Sequence, residues 1–317
     1  MKYRIDSGIR IFLFTYILVS VSFGHLASAR VSSAELIFTS REIVVDNRKM
    51  VTKYSYDLLI NDRSADYLSK IRIPYSGIDK LVSLEASLHT ADGTLVRKLP
   101  RNEITSQHDI SDYSLYEDQY VKKFTLRNSS YPYRIKWSYT IESSAFLNIC
   151  NWIPVLMTEI PTRRAILTFI APESYQVSID SAGLLSCTYR KEKDHLIRKY
   201  ECSFTDSYKE EVFQANDTEH LPYVRIMPLQ FHFETDGRAG SWKEFGLWIY
   251  DLNKGLDVLP QSEKDFIGAL KNEGLAGEAL IRKLYNYVQD RTRYVNVTLE
   301  TGGFKPYPAT YVSNNAY

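Results

Sequence analysis

Cysteine is scarce in this sequence: Cys150, Cys187 and Cys202 are the only three in 317 residues, so no dense disulfide framework holds the fold. Metal-binding spacings are missing as well. There is no Cys-x-x-Cys or His-Glu-x-x-His, and His89, His108, His195, His220 and His232 are scattered without helical ligand spacing, so no metal or other cofactor is expected. An excess of either charge is also lacking. Once residues 1–29 are set aside, 36 basic residues stand against 37 acidic ones, which gives no basic footprint for nucleic acid or anionic lipid. No segment beyond the N-terminus is apolar for long enough to span a membrane.

What is present begins with a leader. Lys2, Arg4 and Arg10 precede an apolar run over residues 11–23 and a small-x-small site at Ala27-Ser28-Ala29, the three parts of a secretory signal. Cleavage after Ala29 would leave 288 residues. An uncleaved anchor is the alternative, for which the run is short.

Export makes the cysteines matter. Cys187 and Cys202 flank an expected hairpin, residues 184–190 and 196–204 around a turn at 191–195. A cross-strand disulfide is geometrically open there, with the register left undecided. Cys150 sits among Phe146, Leu147, Ile149, Trp152 and Ile153, a setting for a buried structural thiol rather than a nucleophile.

From residue 42 to about 233 the pattern is strand after strand. Residues 53–60 place Tyr54, Tyr56, Leu58 and Ile60 on one face and Lys53, Ser55 and Asp57 on the other. Residues 71–73 and 81–88 follow, and Ala91-Asp92-Gly93-Thr94 signals a hairpin before Leu95. Residues 120–126 are expected to pair with 133–141, whose alternation sets Ile135, Trp137, Tyr139 and Ile141 opposite Arg134, Lys136 and Ser138. Segments 164–170 and 175–179 add two strands. The expectation is an antiparallel meander closing into a sandwich-like domain over residues 30–235.

After Phe233 the period lengthens to that of helices. Asp236-Gly237-Arg238-Ala239-Gly240 reads as a domain boundary. Ser241-Trp242-Lys243-Glu244 reads as a capping box, ahead of an apolar face made by Trp242, Phe245, Trp248, Ile249 and Leu252. Gly255 and Pro260 end that helix; Ser262 and Asp265 start another with Phe266, Leu270 and Leu275 inward. A third helix carries Leu280, Ile281, Leu284, Tyr285 and Val288 on one stripe. A strand at 294–299, a break at Gly302-Gly303-Phe304-Lys305-Pro306 and the segment 307–317 complete the chain.

Two resemblances follow. The run Ile110-Ser111-Asp112-Tyr113-Ser114-Leu115-Tyr116-Glu117-Asp118, then Lys122-Lys123 and Trp137-Ser138-Tyr139, makes residues 42–233 resemble the β-rich domain-of-unknown-function 3857 family, which commonly precedes transglutaminase-like domains in secreted bacterial proteins. The helix with Leu284-Tyr285-Asn286-Tyr287-Val288-Gln289, the strand from Arg293-Tyr294-Val295, the Gly302-Gly303-Phe304 turn and Tyr307-Pro308-Ala309 resemble the front of a transglutaminase-like domain, a papain-related α+β fold with a Cys, His, Asp triad. In that family a Gly-Asp-Cys motif would follow a position like Tyr317. Its Cys, His and Asp have no matching positions here, so no catalytic residue is assigned. The fold expected is mainly β with a C-terminal α/β segment: signal peptide 1–29, a β-sandwich-like domain 30–235, and 236–317 as an incomplete transglutaminase-like domain.

Other constellations are thin. Glu103, Asp109, Asp112, Glu117 and Asp118 supply acids for glycoside hydrolysis but nothing that sets two of them across a sugar. The acceptor patterns at Asn128, Asn216 and Asn296 occur often by chance. Tyr113, Tyr116, Tyr131 and Tyr133 would either line a groove for an extended peptide or glycan, or form the half-exposed face of a sheet. The functional expectation is a non-catalytic exported portion of a transglutaminase-like protein, in the periplasm or outside a bacterial cell, its β-domain an accessory or substrate-presenting module. The alternative is a complete secreted binding or adhesion module for a peptide, protein or glycan.

Overall fold

Alternation of the kind seen at residues 53–60 builds most of the molecule. The structure is a computed structural model that describes residues 32–46, 48–77, 79–108, 116–117, 119–208, 213, 221–293, 297–298 and 304–316; the expected leader lies outside them. In chain order the strands are β1 (Ala34–Asp46), β2 (Lys49–Ile60), β3 (Lys70–Ser76), β4 (Asp79–Thr90), β5 (Leu95–Lys98), β6 (Thr105–His108), β7 (Tyr116–Glu117), β8 (Gln119–Thr125), β9 (Tyr133–Ser143), β10 (Cys150–Trp152), β11 (Ala165–Pro172), β12 (Val177–Ala182), β13 (Ser186–Glu192), β14 (His195–Cys202), β15 (Tyr223–Pro228), β16 (Gln230–Phe233), β17 (Thr235–Arg238) and β18 (Val297–Thr298). The helices are α1 (Trp242–Asn253), α2 (Gln261–Asn272), α3 (Gly277–Arg291) and α4 (Ala309–Asn315), with β18 between α3 and α4.

Eight strands form the main sheet in the order β13-β14-β11-β1-β2-β9-β4-β5. Two three-stranded sheets, β3-β8-β6 and β10-β15-β12, cover one of its faces. Leu36, Leu58 and Ile135 pack with Ile71, Ile73 and Phe124 from the first. Ile43, Leu167 and Phe169 pack with Trp152, Val224 and Ile226 from the second. Leu36 and Ile43 are seven positions apart, an odd number that would normally put them on opposite faces. A bulge between Leu36 and Phe38 reverses the alternation, so β1 serves both cores with the same face. The outward face is polar: Arg134 Nε donates to Asp57 Oδ1 at 2.9 Å, and Lys136 lies 3.6 Å from the same carboxylate.

The sandwich-like, mainly antiparallel reading holds, and two details of it are corrected. Residues 120–126 do not pair with 133–141. Instead β8 lies between β3 and β6, because β9 has both edges taken by β2 and β4. The order is also no simple meander, since β1 runs parallel to β11. The Asp92-Gly93 hairpin forms as expected, with Gly93 at φ 95° and the Thr94 amide donating to Asp92 Oδ1 at 3.1 Å.

The cysteines stay apart. The β13–β14 hairpin turns at Lys193-Asp194, one position earlier than a Cys187–Cys202 bridge requires, so Cys187 faces Tyr200. Among the described residues all three thiols are free, with Cys187 exposed and the other two buried.

β16 and β17 form a separate hairpin that packs on α1, joining Phe231 and Phe233 to Trp248 and Leu252. Ser241 caps α1 by accepting from the Glu244 amide at 3.2 Å. The Glu244 carboxylate meets Arg238 at 2.9 Å. Trp242, expected inward, is 91% exposed, because the hairpin reaches α1 only from Phe245 onward. Pro260 rather than Ser262 stands at the N-cap of α2, in an extended conformation and without a side-chain capping bond.

Candidate functional site

α3 is amphipathic in sequence, yet none of its residues is buried. Leu280, Leu284 and Tyr287 are half-covered, while Ile281, Tyr285 and Val288 stay more than half exposed. Between α2, α3, α4 and the α1–α2 loop lies a cavity of about 610 Å³. Leu256, Leu259, Phe266, Ile267, Leu284 and Val312 make its walls. The turn at Phe304 closes this end of the molecule: its ring meets Trp248 with centroids 5.7 Å apart, and its carbonyl accepts from Asn253 Nδ2 at 3.2 Å. The Ala309 amide donates to the Leu256 carbonyl at 2.7 Å, which starts α4 over the cavity.

One charged group is buried here. Glu263, 8% exposed, accepts from Ser313 Oγ at 2.7 Å and from the Tyr287 hydroxyl. Arg291 Nη1 in turn donates to the Tyr287 oxygen at 2.7 Å, and the Tyr287 ring stacks on Phe266 at 4.2 Å. The Ser313 hydrogen bond, with Tyr287 and the Arg291 charge, holds the Glu263 carboxyl below its ordinary range. Burial, with the Glu263 charge, pushes the Tyr287 hydroxyl up. A mostly apolar cavity with a few convergent polar groups is suited to binding. Among the described residues it holds no thiol or imidazole to drive acyl transfer.

The other residues singled out in the sequence are dispersed. Cys150 is buried against Arg41, whose Nη1 lies 3.7 Å from Sγ, and burial raises its thiol pKa, as befits a structural residue. Glu103 is held by Arg97; Asp109, Asp112 and Asp118 lie outside the described residues, as does the side chain of Glu117. His89 bonds Ser87 and Gly93, His108 packs on Tyr120, and His195 meets Asp194. His220 lies outside the described residues, and no cluster of three metal-binding groups occurs among those described. Tyr133 is fully buried, and its hydroxyl, like that of Tyr131, donates to Asp66. Tyr133 therefore belongs to the core, with Tyr131 half-buried against it; Tyr113 and the side chain of Tyr116 lie outside the described residues. Sequence reasoning missed the Glu263–Ser313 pair because α4 carries no periodic signal of its own length.

A larger groove, about 1150 Å³, runs on the β-part. Tyr56 and Trp137, stacked at 4.6 Å, lie along it with Lys98, Arg101, Lys122 and Lys136.

Residues 46–210 match a protein family described as a domain of unknown function with solved structure, DUF3857. No curated protein matches the chain. The crystal structure of a candidate protease from Parabacteroides distasonis is similar at TM-score 0.68 and 15% identity, over 90% of this chain and 55% of its own. At that identity the likeness shows the fold alone, and the chain spans about half the length of that protein. Weaker likenesses are to Legionella pneumophila aminopeptidase A (TM-score 0.35, 12% identity, 65% of this chain and 22% of that one) and to a candidate nutrient-binding protein of Legionella pneumophila (TM-score 0.32, 11% identity, 84% and 83%). Neither of these two supports an argument.

Proposed function

The chain belongs to the DUF3857 family, and from that premise we propose that it is the exported, non-catalytic front portion of a longer transglutaminase-like protein. The β-rich part serves as an accessory or substrate-presenting module. The helices α2 to α4 form the seat on which the following polypeptide packs.

The observation that carries this reading is the apolar face of α3. Ile281, Tyr285 and Val288 recur at helical spacing and remain exposed beside the 610 Å³ cavity, a face that a further element would cover. The coverage of 90% of this chain but 55% of the Parabacteroides distasonis protein supports it: that protein has more chain than the shared fold. Acyl transfer or amide hydrolysis through a thiolate would belong to residues outside this sequence. The test is the reading frame after the codon for Tyr317. An open frame encoding Gly-Asp-Cys, then a His and an Asp, is expected; a stop codon overturns the reading.

The 1150 Å³ groove with its stacked Tyr56 and Trp137 favours a second reading, a secreted binding module for a peptide, protein or glycan. A stop codon after Tyr317 would favour it.

A further inference from the structure

A third cavity, of about 510 Å³, lies on the β16–β17 hairpin. Direct cross-strand pairing sets Gln230 opposite Arg238 and His232 opposite Asp236, so these four side chains share one face of the ribbon. Phe231 and Phe233 take the other face and are buried with Trp248. Gly237 makes that possible, because a Cβ there would come within 2.4 Å of the Phe231 ring. The polar face lines the cavity together with Arg48 from the β1–β2 turn and the rings of Phe146 and Tyr175.

Among the described residues Asp236 is the single carboxylate of the lining. It is shared by His232, with Nδ1 at 2.7 Å from Oδ1, and by Arg48 Nη2 at 3.0 and 3.3 Å. These partners, His232 first, hold its carboxyl below the ordinary range. Facing that carboxylate, His232 donates through Nδ1, and in its neutral form the ring keeps Nε2 as an acceptor. Arg238 meets Glu244 through Nε; that acid is outside the lining. Each guanidinium thus already meets one acid, Arg48 with Asp236 and Arg238 with Glu244, so an arriving carboxylate would be held by sharing their planar N–H forks rather than by a surplus of charge. Burial pushes the Tyr175 hydroxyl up to about 12, so its ring is a neutral wall.

We propose that this pocket binds the C-terminal residue of a peptide. The terminal carboxylate sits on Arg238 and Arg48, the last amide N–H donates to His232 Nε2, and an apolar side chain lies against Phe146 and Tyr175. The inference is independent of whether further chain packs on α3.

The test is calorimetric titration of the full chain with N-acetyl-Ala-Ala-Phe, once as the free acid and once as the C-terminal carboxamide. The acid is expected to bind, and the carboxamide to bind about tenfold more weakly or worse, the scale of a charge-assisted contact. Arg238→Gln and Arg48→Gln, both at exposed positions, should each weaken the acid and leave the carboxamide unchanged. His232→Gln should weaken both. Equal affinity for acid and carboxamide, no binding of either at millimolar peptide, or displacement of the acid by equimolar inorganic phosphate would overturn the proposal.

Discussion

Ser313, near the end of α4, donates its hydroxyl to the buried Glu263 carboxylate of α2 at 2.7 Å. That bond fastens the last helix to the rest of the helical part across fifty residues of chain.

Replacing Glu263 by Gln should therefore loosen α4. Its carboxyl is held below the ordinary range, chiefly by the Ser313 bond, so the contribution is present at neutral pH. It is lost as the pH falls through the lowered folded pKa. Glu263→Gln should cost about 1–3 kcal/mol at pH 7 and flatten the acid limb of the unfolding profile. Unchanged stability at neutral pH would show that the bond contributes nothing.

Gly237→Ala should disturb the aromatic cluster under the hairpin. The new methyl would stand 2.4 Å from Phe231 and 2.7 Å from Trp248, an overpacking worth about 1–3 kcal/mol. Altered tryptophan emission with strand content retained is the expected signature. A variant with wild-type stability and emission would refute the close packing.

Thiol labelling should divide the cysteines. Cys187 lies exposed on an edge strand, while Cys150 and Cys202 are buried. One thiol should react quickly in the native protein, and the other two only on unfolding. Two fast thiols, or a Cys187–Cys202 bridge in the mass spectrum, would contradict the hairpin register.

Core and helical positions should respond differently to truncation. Leu58→Ala, at a fully buried site, should cost about 2–5 kcal/mol. Ile281→Ala, at a site 68% exposed, should stay within about 0.5 kcal/mol. A large loss at Ile281 would mean that the α3 face is already covered.

Much of this was legible in the residues. The period-two run at 53–60, the Asp92-Gly93 turn and the Ser241 cap each rest on local chemistry and appear where expected. What was not legible is non-local. Nothing within residues 120–141 reveals that both edges of β9 belong to β2 and β4, and nothing near Leu36 announces the bulge that turns Ile43 inward. Trp242 fits the helical face by spacing and is exposed because the hairpin above it is short. The hairpin pocket escaped because Arg48 and Asp236 are far apart in sequence, and because residues 236–240 carry the small, polar composition of a linker. The structure forms β17 from part of that stretch.

Amide hydrogen exchange, read segment by segment on the purified chain, tests the central claim most directly. If α2 to α4 are a seat awaiting further chain, Gly277–Arg291 should exchange much faster than β1, β2 and β9 of the main sheet. Equal protection in α3 and in those strands would contradict the account, and would mark the helices as a finished domain that needs nothing on its exposed face.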